Sequence, residues 1–409
     1  MPAAAVSRNA GRDHRSRFYE HPASHHTNAG RQGPSRCGPW HRPAGRLGYL
    51  GAAIWTAPAE RDAGRFGHPE SKMERKEIVR RAIEFDCPAR LPFFLGNFWN
   101  DRLAAKITGF PNDVCDCWEM DRQQAGWYFD NAVEDDWGCG WAATEVKNMG
   151  QVIRHPLDDW CKLATYKPPD PKNPFYFARI EDGIRDAGDR YVVLTSHFNL
   201  IERLEMLCGF ARALQGFYLE PEKIHRLLDM ILEFKIEHIG EAARRFGDRV
   251  NAVFLTDDWG SQHGTLVSAA VFREFFFDRY KQLFDSIHSH GWHAILHSCG
   301  KVNDFVQSFI DAGADVLNLQ QPQLYGIKEL GGQFAGKTCF LSTVDIQATL
   351  PRADAQTVRD EARELVENWS TPKGGLIVFN YGDSQAIGTT DETTEVMFRA
   401  FYDLREYWQ

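Results

Sequence analysis

The chain has 409 residues, 43% of them hydrophobic and 25% charged, with 47 Lys+Arg against 56 Asp+Glu and a net charge of −9. Such a length buries a large core, and the acidic balance excludes a general attraction to nucleic acid or to an anionic membrane surface. No apolar run reaches the ~20 residues of a membrane-spanning helix, and the nine scattered Cys read as reduced thiols of a cytoplasmic protein.

Residues 1–72 hold 11 Lys+Arg against 5 Asp+Glu, leaving 36 basic against 51 acidic side chains in 73–409. This first stretch is rich in Gly, Pro, Ser and His and has no sustained period. It reads as a disordered basic leader, an upstream extension outside the working fold. Met73 opens an amphipathic segment, Glu74-Arg-Lys-Glu-Ile-Val, and from there short β-branched or aromatic runs alternate with helical periods.

Strands are expected at 91–95, 191–195, 251–256, 293–297, 315–319, 338–341 and 376–381. The helices between them are expected at 221–246, 268–290, 302–312 and 354–369. Ser268 and Thr390 signal helix starts, Gly291 and Gly313 helix ends. Repeated strand–helix alternation without a Gly-rich dinucleotide fingerprint predicts an α/β fold of the (β/α)8 TIM-barrel kind. Residues 112–175, rich in Asp and Trp, interrupt the rhythm. They are expected to form an insertion, a helix and then short hairpins, near the barrel mouth.

In a parallel barrel, side chains at the carboxyl ends of the strands face one pocket. Those ends carry His197, then Asp257, Asp258 and Gln262, then His297-Ser298-Cys299-Gly300, Gln320 and Gln321, and Tyr381 with Asp383. His297 and Cys299, two apart, share one face of their strand and could close on a Zn2+ if a further ligand joined them. Asp383 is the first candidate for that ligand and Asp258 the second. Asp258 and His197 are candidate catalytic groups. Asp257, Gln262, Gln321, Arg102 and Tyr381 are candidate substrate contacts. Adjacent carboxylates alternate in direction, so at most one of Asp257 and Asp258 enters the pocket, the other meeting a loop or a helix start.

Residues 73–92, Thr256–Gln262 with Leu266-Val267-Ser268, His297–Gly300, the Ala312–Leu319 stretch and Gly374–Val378 together resemble the uroporphyrinogen decarboxylase superfamily. The resemblance covers 73–409 and implies a barrel enzyme working at its carboxyl mouth. True decarboxylases of that family hold a polycarboxylate tetrapyrrole with an arginine-bearing segment. Here the corresponding stretch is Gly96-Asn-Phe-Trp-Asn-Asp-Arg102, with Arg102 as its one basic residue. The His-x-Cys-Gly step is instead similar to the corrinoid-linked methyltransferase branch. There zinc holds an acceptor thiol for attack on a cobalt-bound methyl group. That branch's later Cys falls near Gly382-Asp383, where this sequence has no Cys.

The resemblance thus implies zinc-assisted methyl transfer between a corrinoid, carried on a partner protein, and a small-molecule thiol or methoxylated compound. Cofactor-free tetrapyrrole decarboxylation and a non-catalytic ligand-binding barrel stay open as alternatives, as does a homodimer.

Overall fold

A computed structural model describes residues 73–95, 109–119, 133–142, 150–352, 354–382 and 386–409. The leader, Arg102 and Asp383 lie outside the described residues, as do residues 120–132 and 143–149 of the expected insertion.

Eight strands form one all-parallel sheet. In chain order they are β1 (Phe93–Phe94), β2 (Val114–Trp118), β6 (Tyr191–Ser196), β7 (Ala252–Thr256), β8 (His293–His297), β9 (Val316–Asn318), β10 (Cys339–Ser342) and β11 (Leu376–Phe379). The spatial order β1-β11-β10-β9-β8-β7-β6-β2 leaves only β1 and β2 unpaired at the ends. Those two meet across a seam: the Asp113 amide donates to the Phe93 carbonyl at 2.8 Å, and the Asp113 carboxylate accepts from the Phe93 amide at 2.8 Å. The wholly buried Asp113 is also clasped by both terminal nitrogens of Arg90, each at 2.8 Å. The sheet is thereby closed into a (β/α)8 barrel, as the alternation of runs predicts.

One strand departs from the expectation. Val114–Trp118 pairs in parallel with β6 along its whole length, so the barrel's second strand lies inside the stretch expected to be an insertion. Between β2 and β6 the chain builds a separate antiparallel sheet of β3 (Val133–Glu134), β4 (Gly140–Ala142) and β5 (Gln151–Arg154). Asp135 is the hub of this hairpin layer. Its carboxylate accepts from the amides of Trp137 and Cys139, from the Trp141 indole and from Arg203, all within 3.0 Å.

Alternation along the strands decides what faces the barrel axis. One apolar cluster collects Phe94, Val114, Val193, Ala252, Phe254, Ile295, Val316, Cys339, Leu341 and Ile377, one set of alternate positions from the eight strands. The helix Arg75–Ile83 supplies Val79, Ala82 and Ile83 to the same cluster, and the Gly375 amide donates to the Ala82 carbonyl at 2.9 Å. The helix thus closes the amino end of the barrel. A second, larger cluster packs the opposite strand faces against the surrounding helices. The expected helix at 221–246 is observed as Pro221–Phe246. The one expected at 268–290 runs from Ala269 to His288 through a π-turn at Arg273–Phe277.

Candidate metal centre

Continuing the inward register of each strand toward its carboxyl end predicts the pocket lining: Asp116 and Trp118 from β2, Thr195 and His197 from β6, Asp258 after β7, His297 and Cys299 from β8, and Asn318 and Gln320 from β9. Two of these strands bring the chemistry together. Ligand atoms of Asp258, His297 and Cys299 all lie within 4.8 Å of one another. His297 Nε2 is 3.3 Å from Cys299 Sγ and 3.6 Å from Asp258 Oδ1.

The backbone that carries them is zipped loop to loop. The Cys299 amide donates to Asp258 Oδ1 at 2.8 Å, the Gly260 amide to the Cys299 carbonyl at 3.1 Å, and the Trp259 amide to Ser298 Oγ at 2.9 Å. The two loops approach so closely that a Cβ on Gly300 would lie 2.0 Å from the Gly260 carbonyl oxygen, and Gly300 itself has φ +75°. Glycine is therefore required after the His-x-Cys step for a steric reason.

The imidazole is aimed by a chain of amides. Asn318 Nδ2 donates to the Leu341 carbonyl at 2.8 Å, which turns Asn318 Oδ1 toward His297 Nδ1, 2.7 Å away. Gln320 Nε2 donates to the same Oδ1 at 2.7 Å. An oxygen facing Nδ1 puts the ring proton there and leaves the Nε2 lone pair toward Cys299 and Asp258. Asn318 carries no signal of its own in one sequence; it is found only by extending the inward register of β9.

The electrostatics are one-sided. Burial first, then Asp258 and Glu202, push the Cys299 thiol well above its ordinary range. Glu202 and Glu205, on the helix Leu200–Cys208, rise by burial and by the nearby charges of Asp257 and Asp258, Glu205 to about 8. Sequence reasoning missed this pair, because the positions of Glu202 in the first turn of a helix and of Glu205 one turn on are ordinary places for acids. A nitrogen, a sulfur and a carboxylate oxygen in a negative field are the donor set of a catalytic zinc site, three protein ligands with room for a fourth. The residues present fit that ion.

The remaining candidates separate. Asp257 is wholly buried and faces away from the axis. It accepts from the amides of Leu200, Ile201 and Glu202 at 2.8–3.1 Å and from the Tyr280 hydroxyl. It holds a helix start and is not a substrate contact. Gln321, 3% exposed, spends its oxygen on the Gly300 amide at 2.8 Å and so supports the loop rather than the substrate. Gln262 lies exposed on the loop after β7, and Tyr381 packs half-buried against the outer core.

His197 packs against Trp118 at a tilt of 60°, ring centroids 4.8 Å apart, and its Nε2 is buried without a hydrogen-bond partner among the described residues. Burial drives it down to about 4, so it is neutral at neutral pH. It borders a side cavity beneath the hairpin layer, with Glu119, Lys235 and His238. On the neighbouring strand β2, Asp116 accepts from Thr195 Oγ1 and Trp118 Nε1, and burial raises it to about 6. It is a second inward carboxylate, and it falls within the stretch expected to be an insertion.

Inward-facing His, Cys and Asp at the carboxyl mouth of a closed parallel barrel define a (β/α)8 enzyme site. The family model for uroporphyrinogen decarboxylase (URO-D) matches residues 133–404, and the chain belongs to that family. No curated protein matches it in sequence. Among solved structures it is similar to a methyltransferase from Methanosarcina mazei, at 15% identity and a TM-score of 0.60, over 81% of this chain and 99% of that one. It is also similar to a B12-independent methionine synthase from a Shewanella species, at 11% identity and a TM-score of 0.39, over 55% and 64% of the two chains. At 15% identity the likeness to the Methanosarcina protein is one of fold. Among the described residues no helix is long and apolar enough to cross a membrane.

Proposed function

We propose that the protein is a zinc-dependent methyltransferase that moves a methyl group between a corrinoid, carried on a partner protein, and a small-molecule thiol. A methoxylated compound is the alternative substrate of the same site. The observation that carries this reading is the convergence of Asp258, His297 and Cys299 at the mouth, their donor atoms all within 4.8 Å. Those three residues would hold the ion. Bound there, zinc supplies the positive charge that keeps a thiol in its thiolate form at neutral pH.

The protein's own groups do the rest. Asn318 keeps the His297 proton on Nδ1, and the zipped loops after β7 and β8 fix Asp258 against Cys299. Neutral His197 and Trp118 wall the pocket on the β6 side, and Asp116 offers an inward carboxylate held by two donors. In the transfer the thiol sulfur takes the methyl carbon as the carbon–cobalt bond breaks. The electron pair of that bond stays on cobalt and the thiol proton leaves to solvent.

A carboxylate ligand in place of a second thiolate leaves less electron density on the ion, which also suits polarising an ether oxygen. Decarboxylation of a tetrapyrrole is disfavoured because Asp116, His197, Asp258, His297, Cys299, Asn318 and Gln320, the described groups of the inward register, offer a polycarboxylate no Lys or Arg.

The test is to mix zinc-loaded protein with methylcobalamin and simple thiols and to follow loss of the carbon–cobalt absorbance. The expected result is thiol-dependent demethylation that falls at least ~100-fold in His297→Ala and Cys299→Ser. Decarboxylation of uroporphyrinogen without methyl transfer would sink the reading.

A further inference from the structure

Asp258 lies two residues past the end of β7. Its side chain is 43% exposed, so packing around the carboxylate does not fix where it points. Its direction is set by what grips residues 257 and 259.

Both neighbours face the other way and end on the same atom. Asp257 and Trp259 are wholly buried, Trp259 within the core that packs the strands against the surrounding helices. The Trp259 indole Nε1–H donates to the Tyr280 hydroxyl at 2.8 Å, and the Tyr280 hydroxyl donates to Asp257 Oδ2. One phenol oxygen is thus acceptor to one neighbour of Asp258 and donor to the other, which commits its single proton. With 257 and 259 held on the outer side, the alternation of an extended chain leaves Asp258 on the inner side, toward His297 Nε2 and the Cys299 amide.

Tyr280 reaches that place because its helix is irregular. The helix from Ala269 to His288 carries the π-turn at Arg273–Phe277. In a straight α-helix of 3.6 residues per turn, eight residues carry a side chain ~80° past its starting face. The wider turn takes up that excess. Phe272, Phe276 and Tyr280, spaced by four, therefore all face Trp259, with ring centroids 5.0, 4.6 and 6.2 Å away. Phe305 closes the box at 5.6 Å. Tyr280 is wholly buried, so water does not compete for its two partners.

From this bracket we infer that Tyr280 is the positioning residue of the Asp258 ligand. It touches neither ion nor substrate and acts by fixing the residues on either side. The inference rests on the metal reading of the site and adds the group that makes Asp258 a ligand before any ion arrives. The grip also extends outward. Asp257 passes it to the amides of Leu200, Ile201 and Glu202, and the Trp259 amide donates to Ser298 Oγ on the loop that carries Cys299.

The experiment uses the full chain and Co2+, whose visible spectrum reports the ligand set without turnover, with affinity read by competition against a chelating dye. Tyr280→Phe removes the hydroxyl and keeps the ring in its box. It is expected to lower Co2+ affinity at least ~10-fold in the wild-type background. In an Asp258→Asn background the further loss should be under ~3-fold, because residues that act as one unit are not additive. Trp259→Phe, which deletes the other half of the bracket, should lower the affinity in the same direction and show the same dependence on Asp258. Tyr191→Phe is the control for loss of a buried phenol. Its hydroxyl lies at the amino end of the barrel, 2.6 Å from His293 Nδ1 and 3.1 Å from the Asn251 carbonyl, and its removal should leave Co2+ affinity unchanged.

Losses of equal size in the wild-type and Asp258→Asn backgrounds, or affinities of Tyr280→Phe and Trp259→Phe that match Tyr191→Phe, overturn the positioning role and leave the metal site standing. A wild-type protein that binds no Co2+ overturns the metal reading itself and the assignment with it.

Discussion

Three side chains near the mouth show how a single residue acquires a role from its neighbours. His297 presents Nε2 toward Cys299 and Asp258 because Asn318 Oδ1, 2.7 Å away, claims the proton on its other nitrogen. Replacing Asn318 by Ala should lower zinc affinity ~10–100-fold while the far-ultraviolet circular dichroism stays unchanged, measured by competition with a chelating dye. An unchanged affinity would show that the ring needs no such support. Glu205 is governed instead by burial and by the nearby carboxylates of Asp257 and Asp258, which raise it to about 8 from an ordinary 4.5. The folded protein therefore binds that proton more tightly than the unfolded chain. Its contribution to stability is complete below about pH 4.5 and is lost as pH rises through about 8. In metal-free protein Glu205→Gln should flatten that decline by on the order of 1–3 kcal/mol, read from urea midpoints across the range. His197 works at the other end. Held near 4, it stabilises fully above its ordinary 6.5 and the effect is lost as pH falls through about 4.

At the scale of elements, much of the barrel is legible in the chain, because a strand buried on both faces is a short apolar run between longer helical periods. Pro221–Phe246 is expected at its observed ends, since a Pro at its first turn and a Gly after its last residue mark both. Val114–Trp118 escapes for a physical reason: its centre is Asp116, flanked by two Cys, so neither an apolar run nor a clean alternation announces it. The acid is tolerated there because Thr195 and Trp118 satisfy it inside the barrel. The direction of the two adjacent acids after β7 is legible as an alternation. That Asp257 meets the amides of Leu200, Ile201 and Glu202 is not, since the helix start lies 55–57 residues away in sequence. Asp257→Ala should cost about 3 kcal/mol, because three amide donors and a tyrosine hydroxyl are left in a dry interior. A urea midpoint unchanged from the wild type would contradict the helix-holding role. Asp113→Ala at the seam between β1 and β2 should cost a similar amount, about 3–5 kcal/mol, by stranding Arg90. If the melting temperature of that variant matches the wild type, the seam is not what closes the barrel.

For the whole molecule, the barrel gathers at one end what the sequence scatters over more than a hundred positions. Asp116, His197, Asp258, His297, Cys299, Asn318 and Gln320 continue the inward register of five strands, β2 and β6 to β9. The family resemblance carried by the His-x-Cys-Gly step agrees with the family match over residues 133–404. A zinc site made by two neighbouring strand ends, with one carboxylate, is the claim on which the proposed chemistry stands. Its most direct test is the zinc content of the full chain, purified without added metal and again after zinc loading and dialysis, beside Cys299→Ser and Asp258→Asn. The expected result is about one zinc per chain in the wild type and at least ~10-fold weaker retention in both variants. A wild-type protein that holds no zinc after loading, or one whose zinc is untouched by Cys299→Ser, would contradict it.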